Sequence, residues 1–135
     1  MKTPMKRHMK LTTLMALVAA FGLAGPAYAQ QLSSEEIVKL LKGTTIETVR
    51  GRNDWPTTIT FNADGTLSGQ MEHERRGTEL DEGKWWTNKE GMYCRQWEDW
   101  GRGRKKCHLL ELQKDGKTIK VVDRDGNVKS KWVLK

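Results

Sequence analysis

The sequence predicts a mainly β fold, a small antiparallel up-and-down β-barrel of about eight strands with one short N-terminal helix, the alternative being a two-layer β-sandwich. Three observations predict it. After Gly43 the chain breaks into short runs of β-branched and aromatic residues separated by turn dipeptides, Asp64-Gly65, Glu90-Gly91, Asp115-Gly116 and Asp125-Gly126. Within those runs apolar and polar residues alternate: Ile59 and Phe61 share a face, as do Leu67, Gly69 and Met71 on the next strand, while Thr58, Thr60 and Ser68 point the other way. One apolar face per strand is best buried by curling the sheet on itself, which also removes its exposed edges.

The first 29 residues read as a secretory signal peptide and not as part of the fold. Lys2, Lys6, Arg7 and Lys10 form a positive start, Leu11 to Leu23 an apolar run, and Ala27-Tyr28-Ala29 a cleavage site, with cleavage expected after Ala29. The apolar run is shorter than the roughly 20 residues a membrane-spanning helix needs. Residues 30–135 then form one domain that is not integral to a membrane and is exported to the periplasm or secreted. All four leader charges are positive, so 20 of the 24 Lys and Arg remain against 17 Asp and Glu, and the net charge falls from +7 to 20 − 17 = +3. That residue of charge is too small to indicate a nucleic-acid partner.

In Ser33-Ser34-Glu35-Glu36, followed by IVKLLKG, Ser33 is placed to cap a helix and Glu36 to close a capping box. Ile37, Leu40 and Leu41 make its apolar stripe, and Gly43 is a stop. Strands are expected at 44–50, 57–62, 66–73, 82–87, 91–97, 105–113, 117–122 and 127–134, with other breaks near Gly51, Gly77 and Gly101. Ile119 and Val121, then Trp132 and Leu134, continue the inward set.

Two cysteines in an exported chain are most simply one disulfide, and a hairpin places Cys94 opposite Cys107. Opposed positions on those strands then sum to a constant, so Met92 meets Leu109, Tyr93 meets His108, Arg95 lies against Lys106 and Trp97 meets Arg104. The Met92 and Leu109 face is the expected interior; if these two with Trp85 and Trp132 fill the barrel no small-ligand cavity is left, whereas an apolar void with a few polar groups favours ligand binding. Trp97 and Arg104 fall outside as a cation–π pair. Leu110 and Leu112 then point outward, which this pairing leaves unexplained.

The loop between these strands combines aromatic and basic residues. Trp97, Trp100, Arg102, Arg104, Lys105 and Lys106 are the candidate binding surface, suited to an anionic envelope glycan or lipid, or to an acidic protein surface. A solvated hairpin tip with balanced charges explains the same letters. Asp123, Asp125 and Asn127 alternate as in a calcium loop, but Val128 stands where the glycine belongs and Leu134 where the final acid belongs, so a turn is expected and no metal. No nucleophile with a base, carboxylate pair or cofactor motif is readable, so no catalytic residue and no cofactor are assigned.

Leu40 to Thr44, Phe61 followed by Asp64-Gly65-Thr66, Gly83 to Trp85, and Cys94 to Trp97 ahead of a second Cys are the residues that carry a family likeness. In these the chain resembles the small exported bacterial proteins grouped as the domain of unknown function 995, and more loosely the calycin-like barrels. The resemblance implies a periplasmic, disulfide-stapled β-barrel and brings no activity or catalytic residue. The Gly-x-Trp lies in mid-chain, unlike that of lipocalins. The expectation is a non-enzymatic binding module that uses the barrel mouth or the tryptophan-rich loop. The alternative is a structural envelope or stress-related protein-interaction domain, with an enzyme third.

Overall fold

The computed structural model describes residues 29–49 and 55–135. The expected signal peptide, apart from Ala29, and the turn near Gly51 lie outside the described residues. Nine strands and one helix follow in the order β1 (Gln30–Gln31), α1 (Ser34–Leu41), β2 (Thr44–Val49), β3 (Thr57–Phe61), β4 (Thr66–His73), β5 (Gly77–Thr87), β6 (Tyr93–Trp97), β7 (Lys106–Leu112), β8 (Thr118–Val122) and β9 (Val128–Leu134). Strands β2 to β9 pair each with the next, all antiparallel, and β9 pairs back onto β2. The result is a closed eight-stranded up-and-down barrel and not a sandwich.

The helix forms where its punctuation stands. Ser33 Oγ accepts from Glu36 N, Glu36 Oε1 accepts from Ser33 N, and Gly43 takes φ +76° beyond the last turn. Its stripe is fully buried at Ile37 and Leu41. Three bonds seat α1 on one end of the barrel: Ser34 Oγ donates to Asn88 O, Gly43 N to Phe61 O, and Leu32 N to Leu110 O. Phe61 ends β3 and Asn88 follows the last residue of β5, so the helix is a plug for that end.

The turns hold by the aspartates the sequence places there. Asp64 accepts from Thr66 N and Oγ1, Asp115 from Lys117 N and Thr118 N and Oγ1, and Asp123 from Asp125 N, Asn127 N and Asn127 Nδ2. These bonds favour the charged form and hold each carboxyl below its ordinary range. The alternation at 123, 125 and 127 is thus a turn closed on itself.

Two features of the sheet are not legible in the sequence. Strand β1 has only two residues, and it lies on the far half of β7, pairing Gln30 with Leu112 and Gln31 with Glu111. Strand β5 starts at Gly77 rather than at 82 and runs to Thr87, so the β4–β5 ladder has eight residue pairs.

The Cys94–Cys107 disulfide is present, with the two Cα atoms 4.0 Å apart, and its neighbours pair as the constant sum requires, Tyr93 with His108 and Arg95 with Lys106. The assignment of faces is the reverse of the expectation. Tyr93, Trp97 and Leu110 belong to the core cluster, with Leu112 packed on it, whereas Leu109 is only half-buried and does not join it. Met92 and Cys94 are buried on the outer side, where Trp86 stands opposite Cys94 and Arg124 Nη2 approaches Met92 Sδ at 3.8 Å. The inward placement of Leu110 and Leu112 removes their anomaly. The ladder between β6 and β7 ends at Arg95, so Trp97 and Arg104 are not partners.

Inside, Phe61 is the hub. Its ring lies 5.6 Å from Trp85, 5.8 Å from Tyr93 and 5.4 Å from Trp132, and Tyr93 meets Trp132 edge-on at 5.2 Å. At Gly83 any Cβ would come within 2.3 Å of Gln96 O, so only glycine lets β5 and β6 approach this closely.

Candidate functional site

At the end opposite α1 the β6–β7 loop folds over the barrel rim and is anchored from within. Asp81, on the inward face of β5 and nearly buried, accepts from Glu82 N, Asp99 N and Trp100 N at 2.8, 3.0 and 2.8 Å. Trp100 packs on Trp97 with ring centres 4.7 Å apart, and both rings occupy the space above Gly69, where a Cβ would sit 2.4 Å from the Trp100 ring. Trp100 Nε1 donates to Glu79 Oε2 at 3.2 Å; that oxygen also lies 3.5 Å from His73 Nε2, and His73 meets Trp55 at 5.0 Å. This half of the rim is closed by aromatic packing.

The tryptophans proposed as binding platforms therefore have other work. Trp97 is 5 % exposed and belongs to the core, which corrects its placement on the loop surface. Trp100 is half-buried and held by Glu79. Arg102, Arg104 and Lys105 do stand exposed, on a tight turn in which Arg102 adopts φ +59° between two glycines at +65°. Lys106 alone among the basic candidates turns into the barrel mouth.

The other half of the rim is open. A cavity of about 390 Å³ is floored by Ile59, Tyr93, Val121 and Trp132 and walled by Arg95, Lys106, His108 and Lys129. A second hollow, about 370 Å³, continues toward Trp55 and Met71 and shares Thr48, Arg95, Lys129 and Ser130 with the first. Arg95, Lys106 and His108 reach it because they alternate with the cysteines and so point inward. Arg95, His108 and Lys129 do not stand out as site residues in the sequence; for Arg95 and His108 the signal available was the outward assignment of Leu110 and Leu112, which marks the faces of that hairpin as exchanged, and Lys129, on β9, had none.

The charged side chains that line the mouth, Arg95, Lys106 and Lys129, are all positive. Neither Arg95 nor Lys106 makes an ion pair among the described residues, while Lys129 Nζ lies 3.7 Å from Asp123. Arg95 Nη1 is buried with no hydrogen-bond partner. Burial, then Arg95, Lys106 and Lys129, hold His108 below its ordinary 6.5, against an opposing pull from Asp123. Burial likewise pushes the Tyr93 phenol far up, so it stays neutral. The arrangement offers positive charge and donors over an aromatic floor, which suits an anion.

A larger concavity, about 560 Å³, lies elsewhere, on the outer face between β4 and β6. Its charges, Glu82, Glu98 and Lys84, are of mixed sign, and it holds no buried unpartnered group among the described residues. Among these residues no cluster of three metal-ligating side chains occurs, and no helix is long and apolar enough to cross a membrane. Comparison with protein-family models and with curated proteins finds no match to the chain.

The depressed His108 has a measurable consequence. Its charged form is disfavoured in the folded state, so its contribution to stability is complete above the unfolded value near 6.5 and is lost as pH falls below it. Urea unfolding should show a loss of stability between pH 7 and pH 5 that is smaller in His108→Gln; equal losses in the two proteins would contradict the assignment. A bound anion offsets the same cations, so anion affinity should rise over this interval.

Proposed function

We propose that this protein is an exported, non-enzymatic binding module that holds an anionic ligand at the open end of its barrel. The observation that carries the reading is Arg95, whose Nη1 is buried without a partner in a cavity shared with Lys106, Lys129 and His108. A buried donor left without a partner costs folding free energy, and an anion bound beside the half-buried Arg95 guanidinium offsets that cost. Export is supported by the leader pattern of residues 1–29 and by the disulfide, which persists in oxidising compartments. The likeness to the domain of unknown function 995 proteins points the same way.

A binder is favoured over an enzyme because the residues lining the cavity include no carboxylate to act beside His108. Among the described residues the exposed large apolar side chains, Val38, Leu80 and Val128, sit one each on α1, β5 and β9, a scatter ordinary for a surface and little support for a protein-interaction face.

Thermal unfolding at constant ionic strength, with and without sodium phosphate, sodium sulfate or sodium benzoate, tests the reading. At least one anion should raise the Tm of the protein, and Arg95→Gln should weaken that anion's affinity by at least about tenfold, the value of one charge-assisted hydrogen bond. Without anion the variant should be as stable as the parent or more so, since no bond is lost. No response to any of the three anions, or an undiminished response in Arg95→Gln, would refute the site.

A further inference from the structure

We infer that the occupant of the barrel mouth is a small amphiphilic carboxylate, one oxyanion head on a compact apolar body; the inference rests on the anion-binding reading above. The head is indicated by the wall. Arg95 presents a planar fork of donors, which matches a carboxylate in two parallel bonds, and Lys106 stands beside it uncommitted to any acid among the described residues. Lys129 is already drawn toward Asp123 at 3.7 Å, so the cations left for a ligand are few.

The body is indicated by the floor. Ile59, Tyr93, Val121 and Trp132 are 8, 2, 4 and 5 % exposed and continuous with the core, so beneath the cations the cavity is apolar. Inorganic phosphate would satisfy the wall and leave this floor against water. An apolar group attached to the head would displace that water and add affinity in proportion to the area covered.

The size is set by closure. The cavity of about 390 Å³ has room for a single ring or a short chain with its head. Beyond the floor the barrel is filled by Phe61, Leu41 and Ile37, all fully buried, and α1 plugs the far end, so no tunnel admits a long acyl chain.

Isothermal titration calorimetry of the oxidised protein at constant ionic strength, with sodium benzoate, benzyl alcohol and sodium phosphate as probes, tests the inference. Benzoate should bind at least about tenfold more tightly than either of the others, and Arg95→Gln should remove the advantage over benzyl alcohol. Phosphate binding as tight as benzoate, lost in Arg95→Gln, would overturn the amphiphile and leave the anion site standing. Benzyl alcohol binding as tightly as benzoate, or no binding of either anion, would overturn the inference and the anion site together.

Discussion

Phe61→Ala should lower the stability of the protein by about 3–5 kcal/mol, the range for removing a fully buried phenylalanine ring. The position warrants the upper part of that range. Phe61 touches Trp85, Tyr93 and Trp132, three large rings held by different strands, and its carbonyl receives Gly43 N where the helix rests on the barrel. Rings fixed in this way cannot close the cavity without moving β5, β6 and β9 against one another. Leu80→Ser provides the reference, because Leu80 is 71 % exposed and its loss should stay within about 0.5 kcal/mol. Equal unfolding midpoints and slopes in denaturant for the two variants would contradict a packed barrel centred on Phe61.

Removing the disulfide by Cys94→Ser with Cys107→Ser should cost about 3 kcal/mol, the loop-closure value for a separation of this size. In a domain of about a hundred residues this corresponds to a fall in Tm of roughly 12–24 °C. The bond stands at the weakest seam of the barrel. The ladder between β6 and β7 has only three residue pairs, with Cys94–Cys107 at its centre, against eight between β4 and β5. Arg95 and Lys106 are the pair next to it, so the same bond sets the spacing of two cations in the mouth. Loss of the disulfide should therefore weaken anion binding as well as stability; a variant with unchanged Tm would show that the seam holds by pairing alone.

The parts of the fold written in local chemistry are legible from the residues. The Ser33 and Glu36 capping box, the aspartate-glycine turns and the period-two alternation at Ile59 to Phe61 each operate within a few residues, and the structure places them as expected. The register of the β6–β7 hairpin is equally legible, because one covalent link determines every opposed pair. Which face of that hairpin points inward is not. Between 92 and 97 both faces carry apolar residues, Met92 and Cys94 on one, Tyr93 and Trp97 on the other, and the arginine between the latter two reads as a mark of solvent. Only the partner strand decides, since Leu110 and Leu112 must be buried and are on the face of Tyr93 and Trp97. The site was hidden by the same ambiguity: a charge on an inward face looks like an error of assignment until the barrel is seen to have an open end. Strand β1 had no signal at all, since two glutamines acquire strand geometry only from the edge of β7 that β6 leaves free.

An amide NMR titration of the oxidised protein with sodium benzoate, and separately with sodium phosphate, tests the central claim most directly. Shift changes should concentrate on Arg95, His108 and Ser130, with Tyr93 and Trp132 responding beneath them. Changes confined to Arg102, Arg104 and Lys105 would return the binding surface to the exposed turn, and changes around Lys84 and Gln96 would move it to the outer groove; either result contradicts a ligand held in the barrel mouth.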